Sequence, residues 1–285
     1  MKRAFPILAI LTTGLLAWAL YGALVSAPTE QTMGNVQRIF YYHVPSAWTA
    51  FLLFSINFLA SVFYLVRDNP LGDRIVNGIV ILVAIVCCIV PFVVKPLPMG
   101  IEPGAVMSTG IGIAALYFGI RKYFGERADI LALVSAEVGV VFCTVVLVTG
   151  PLWARPVWGI WWTWDMRLTS TLVLWLIYVS YLMLRRFSNS SQTPMLAAVL
   201  AVFGALDVPL VYFSIWFFRT QHPQPVIGDQ GSIDPRMLHV LLINWLAFLC
   251  FAFLICWLRY RLEVLQREVE ETQALESLLE PGGVR

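Results

Sequence analysis

Charge is scarce in this sequence. Asp, Glu, Lys and Arg make up 13% of its 285 residues and nearly cancel, to +2 at neutral pH. A soluble domain carries about 25%, so an ordinary water-soluble globule is excluded. The near-zero balance implies no nucleic-acid partner, and there is no basic tract, phosphate-cradling glycine loop or zinc-spaced cysteine cluster. The five cysteines, Cys87, Cys88, Cys143, Cys250 and Cys256, all lie inside apolar runs, and none forms a C-x-x-C pair. Such thiols behave as small hydrophobes, which speaks against a thiol–disulfide relay. Histidine is rarer still, at three residues.

What is abundant is apolar: 59% of the chain is hydrophobic. A span needs about 20 apolar residues. Runs of that kind occur near 7–26, 46–66, 75–94, 104–120, 128–149, 169–184, 194–217 and 237–258. Alternate joins are basic, at Lys2 and Arg3, Arg67 and Arg74, Arg121 to Arg127, Arg185 and Arg186, and Arg259 to Arg267. By the positive-inside rule these joins face the cytoplasm. The expectation is an all-α, polytopic transmembrane bundle of about eight spans with both termini cytoplasmic. The basic start and the small residues at Val25, Ser26 and Ala27 also fit a signal peptide. The full spanning length of the run favours a retained helix.

Four outer segments follow, at 27–45, 95–103, 150–168 and 218–236. The third contains "PVWGIWWTWDMRLTS", with four of the eleven tryptophans inside seven residues. Trp18, Trp48, Trp175, Trp245 and Trp257 need no more than interfacial anchoring. Trp158, Trp161, Trp162 and Trp164 are too dense for anchoring alone and read as a stacking surface for a large planar ligand. No histidine falls in a cytoplasmic join. His43 closes the first outer segment, His222 lies in the fourth, and His239 opens the last span.

A stacking surface flanked by two histidines from separate loops suits a metalloporphyrin. Imidazole supplies axial nitrogen to haem iron, and arginine forks onto a propionate. Outer cations available for this are Arg38, Arg155, Arg167, Arg219, Arg236 and Lys95. Asp165 cannot stack. It either accepts hydrogen bonds from nearby N–H groups, pairs with Arg167, or caps the following helix. His239 reads as a packed histidine, with a ligand or proton role as the alternative.

"WGIWWTWDMRLTS" resembles the WWD signature of haem-handling proteins of cytochrome c biogenesis, and its ending resembles the haem exporter protein C family (CcmC) in particular. "RIFYYHVPSAW", "LVTGPLWARPVWG", "VPLVYFSIWFF" and "GSIDP" support that resemblance. It implies haem b held at the outer face of a bacterial cytoplasmic membrane, with His43 and His222 as axial ligands. Trp158, Trp161, Trp162, Trp164 and Asp165 match the signature segment, with Arg38, Arg155 and Arg167 as cofactor-binding candidates. The implied partners are ABC-transporter membrane and ATPase subunits, a small membrane helper and a CcmE-type periplasmic haem chaperone. The resemblance implies delivery, with bond formation on the chaperone, and no enzyme activity of the chain's own.

Members of that family typically show six spans, so residues 67–127 are expected to hold an extra hairpin within a membrane domain of residues 1–258. Eight spans also keep the related CcsA-type branch open. Residues 259–285 form a tail in which Leu258, Leu262, Leu265 and Val269 space as a short cytoplasmic helix. Glu137 and Asp207 lie inside spans, where acids are costly. They line a polar cavity, carry protons, or are simply hydrogen-bonded in the bundle. Two rival functions stay open: an alternating-access transporter and a membrane redox protein.

Overall fold

The computed structural model describes residues 4–94, 102–188, 190–218, 220–222 and 233–279. Nine α-helices occur among them: α1 (Ala4–Tyr21), α2 (Phe40–Val66), α3 (Pro70–Val93), α4 (Pro103–Tyr123), α5 (Ala128–Trp158), α6 (Met166–Phe187), α7 (Thr193–Ala205), α8 (Asp207–Phe217) and α9 (Pro235–Leu279). No strand is present among the described residues, apart from one isolated bridge between Glu30 and Gly34. Eight segments are long and apolar enough to cross a membrane, with α7 and α8 together making one of them. The all-α, eight-span expectation holds.

The helix starts follow local chemistry. Asn69 accepts from Leu71 N and Gly72 N at 3.1 Å each and opens α3 ahead of Pro70. Asp165 does the same for α6, accepting from Leu168 N at 2.9 Å. At its far end α5 stops at Gly159, whose φ of 79° is open to glycine at no steric cost.

Helices α2 and α5 run antiparallel along their length and form the spine of the bundle. His43 meets Thr149, Phe54 meets Gly139, and Asn57 Nδ2 donates to Ala132 O at 2.8 Å. The approach at mid-span depends on Gly139, because a Cβ there would stand 2.7 Å from Phe54 Cε1. Phe54 in turn stacks on Tyr178 of α6, with centroids 3.8 Å apart and planes 10° from parallel. Small residues allow this close backbone contact where lipid offers no hydrophobic drive. Helices α3 and α4 pack on each other beside this spine, and α3 leaves Ile75, Ile79, Leu82, Val86 and Ile89 exposed. In a bilayer such a surface faces hydrocarbon.

The end of the bundle that carries the basic joins is held by ion pairs. Asp129, 6% exposed, receives Arg185 Nη2 at 2.8 Å and Arg267 Nη2 at 3.0 Å. Glu137 is gripped by Arg259 through two bonds of 2.9 Å each, so this intramembrane acid has a cationic partner on α9. Asp207 begins α8 at the break in the seventh span, and its Oδ2 is buried with no hydrogen-bond partner among the described residues.

The tail differs from expectation. The stripe of Leu258, Leu262, Leu265 and Val269 forms no separate short helix but continues α9, which runs unbroken for 45 residues. No glycine or proline lies between Arg236 and Leu279 to interrupt it, and Arg267 anchors the extension to Asp129. At 1.5 Å per residue the helix is about 67 Å long, roughly twice the hydrocarbon thickness.

Candidate functional site

The site lies at the opposite end, where the outer segments meet. His43 sits in the first turn of α2, after a 3₁₀ turn at Asn35–Ile39. Its Nδ1 is 2.8 Å from Thr149 Oγ1, which lies 2.7 Å from the Val145 carbonyl. Gly150 lies beside the imidazole: a Cβ at this position would be 3.6 Å from His43 Cε1. His43 Nε2 makes no hydrogen bond among the described residues.

His222 reaches the same place from the segment after α8. His222 and the guanidinium of Arg167 both stand close enough to His43 to act on it electrostatically. What positions the His222 segment is Asp165. Its Oδ2 accepts from Thr220 Oγ1 at 2.9 Å, from Gln221 N at 3.3 Å and from Thr163 Oγ1 at 3.3 Å. Thr220 Oγ1 then accepts from His222 N at 3.1 Å. One carboxylate thus caps α6 with one oxygen and ties two loops together with the other. Of the readings open for Asp165, the cap and the N–H acceptor are both realised. A hydrogen bond to Arg167 is absent. Among the described residues the Arg167 guanidinium makes no hydrogen bond or ion pair at all.

The tryptophans form edge-on pairs rather than one flat sheet. Trp158 meets Trp153 with centroids 5.1 Å apart at 85°, and Trp162 meets Trp164 at 5.8 Å and 78°. Trp161 and Trp164 are exposed, at 56% and 76%, whereas Trp158 and Trp162 are half-buried. The Trp162 indole N–H is buried without a partner among the described residues. Backbone from Gly159 to Asp165 is non-helical.

The remaining cations divide. Arg38 donates to the Ala23 carbonyl at 2.7 Å and to Asn35 Oδ1 at 3.3 Å. Arg155 donates to the Gly159 carbonyl and reinforces the end of α5. Both hold loops in shape. Arg236 pairs with Asp234 at 2.9 Å and thereby holds that carboxyl below the usual carboxylate range. Lys95 and Arg219 lie outside the described residues. His239 is exposed on α9, in a shallow cleft with Ser26, Pro235, Arg236 and Val240. Thr149, Gly150 and Thr220 do not stand out in the sequence as site residues. The available signal was their place inside "LVTGPLW" and beside His222 in "RTQHP".

An all-helical, multi-pass membrane protein with a two-histidine, tryptophan-flanked site at one end is the class that fold and site define. The chain belongs to the Heme exporter protein C family, whose model matches residues 1–94 and 103–275 and so takes in both helices of the hairpin. It is 28% identical over 278 residues to the Heme exporter protein C of Bradyrhizobium diazoefficiens, covering 96% of this chain and 84% of that protein. It is 32% identical over 183 residues to the Heme exporter protein C of Escherichia coli K12, covering 63% and 74% respectively. Similarity of 26% over 269 residues extends to the Heme exporter protein C of Haemophilus influenzae, covering 93% and 86%.

Proposed function

We propose that this protein takes haem at the histidine end of its bundle, holds it between His43 and His222, and surrenders it to a periplasmic haem chaperone during cytochrome c maturation. The observation that carries this reading is that two imidazoles from different segments come within electrostatic reach of each other and of Arg167, whose guanidinium makes no hydrogen bond or ion pair among the described residues. Haem brings its own equatorial nitrogens and asks the protein for axial donors only. His43 has a ring nitrogen to give. Arg167 is the group suited to a propionate, and Trp158, Trp161, Trp162 and Trp164 offer apolar cover for the macrocycle. Arg38 and Arg155 contribute by shaping the loops that carry these groups.

In this reading the cargo is haem b, and the bond to the acceptor forms on the chaperone, so the chain is a handling protein rather than an enzyme. It works beside ABC-transporter membrane and ATPase subunits and a small membrane helper. Its place is the bacterial cytoplasmic membrane, with the site on the periplasmic side. The distribution of basic joins supports that orientation.

The test is the absorption spectrum of the purified protein beside His43→Ala and His222→Ala. Low-spin haem in the wild type, lost or converted to high-spin in each variant, is the expected result. Identical spectra in all three would overturn the axial assignment.

A further inference from the structure

Histidine binds iron through a ring nitrogen that carries a lone pair, and the neutral ring has only one such nitrogen at a time. Which one it is depends on the partner of the other. For His43 that partner is Thr149 Oγ1, 2.8 Å from Nδ1. A threonine hydroxyl has a single proton, and here it is already engaged: Thr149 Oγ1 donates to the Val145 carbonyl one turn back at 2.7 Å, with Val146 O next at 3.4 Å. The hydroxyl can therefore only accept from the imidazole. That places the proton on Nδ1 and the lone pair on Nε2, the nitrogen that makes no hydrogen bond among the described residues.

We propose that Thr149 is a positioning residue that fixes the tautomer and the ring plane of His43, so that Nε2 is presented to iron without reorganisation. The proposal rests on His43 being an axial ligand. The chain of dependence is Val145 carbonyl, Thr149 hydroxyl, His43 Nδ1–H, and all but the imidazole belong to one rigid stretch of α5. Gly150, the next residue, lies alongside the ring, where a Cβ would make only ordinary van der Waals contact with Cε1 at 3.6 Å. A hydrogen bond accepted from the far ring nitrogen also makes the ligating nitrogen more basic, and losing it typically costs 10–100-fold in metal affinity.

The experiment uses the full chain in detergent, titrated with hemin, with Thr149→Val, Thr149→Ala and Thr149→Ser beside the wild type and His43→Ala. Three properties are read: hemin affinity, the low-spin electron paramagnetic resonance signal, and the ferric/ferrous midpoint potential. Thr149→Val and Thr149→Ala are expected to weaken hemin binding about 10–100-fold. They should also change the low-spin signal and move the potential positive, because a less basic ligand stabilises ferric iron less. Thr149→Ser, which keeps the hydroxyl, restores all three. Thr149→Ala adds no atoms, so a packing defect peculiar to valine does not decide the outcome. If His43→Ala changes the signal while Thr149→Val and Thr149→Ala keep wild-type affinity, signal and potential, the positioning role is wrong and the ligand assignment stands. If His43→Ala also changes nothing, the ligand assignment itself fails and takes the role of Thr149 with it.

Discussion

Thr220 Oγ1 donates to Asp165 Oδ2 at 2.9 Å across 55 residues of sequence, and this bond ties the tryptophan loop to the segment that carries His222. The same Thr220 oxygen receives the backbone N–H of His222. The acidic residue at the end of the tryptophan cluster is thus a loop fastener, and its value to a ligand is indirect. It sets the distance between an apolar surface and an imidazole.

Breaking that fastener separates binding from stability. Asp165→Ala removes the cap of α6, worth about 1 kcal/mol, and frees the His222 segment as well. Thr220→Val removes the hydroxyl that bonds Asp165 and holds the His222 N–H, and leaves the cap and the Gln221 N–H bond in place. Both variants are expected to lose hemin affinity by 10-fold or more, and only Asp165→Ala should show a clear fall in thermal midpoint. Hemin titration and thermal unfolding in detergent check the pair.

Arg167 is expected to recognise a carboxylate. A hydrogen bond involving a charged group contributes about 1.5–3 kcal/mol, or roughly 10–100-fold in affinity. Arg167→Gln should therefore weaken hemin binding by that factor while leaving the binding of hemin dimethyl ester at the wild-type level. Equal losses for both ligands would remove Arg167 from the propionate role.

The ion pairs at the basic end are not equivalent. Arg185 and Asp129 are 9% and 6% exposed, so Arg185→Ala leaves a buried carboxylate with one fewer partner. The expected loss of stability is about 3–5 kcal/mol. Arg127 and Glu268 are 54% and 52% exposed, and Arg127→Ala should cost less than about 1 kcal/mol. Thermal unfolding of the two variants under identical detergent conditions distinguishes them.

Gly139→Ala is expected to destabilise the bundle by about 1–3 kcal/mol, because the new methyl would meet the edge of Phe54 under its stack with Tyr178. Gly112→Ala is the control, since a Cβ there has nothing within 4 Å. It should be neutral or slightly stabilising through better helix propensity. A reversed order in the unfolding midpoints would contradict the packing described for α2 and α5.

How much of this is legible in the chain differs by residue. The candidate ligands His43 and His222 stand out because histidine is rare and falls only at outer positions or span starts. Asp165 is visible as a cap but not as a fastener, since its second oxygen is claimed by a loop beyond two further helices. Arg38 and Arg155 look like free cations in sequence, and it takes coordinates to find backbone carbonyls on their guanidinium groups. Glu137 reads as an isolated acid inside a span until α9 brings Arg259 beside it. Thr149 is the extreme case. In sequence it is one more small residue in an apolar run, bonded to its own helix as threonines in membranes commonly are.

The sequence by itself determined the membrane class, the eight spans and the end of the bundle where the unusual residues gather. Hydropathy and residue scarcity are properties of contiguous stretches, and a contiguous stretch needs no partner to be read. Only the tertiary structure decided which hydroxyl faces His43, which loop Asp165 holds and that the Arg167 guanidinium, unlike those of Arg38, Arg155 and Arg236, makes no hydrogen bond among the described residues. Those are relations between groups far apart in the chain, on different helices and loops. They depend on how distant segments meet; for α2 and α5, which bring Thr149 to His43, the close approach at mid-span rests on Phe54 against Gly139 rather than on any local pattern.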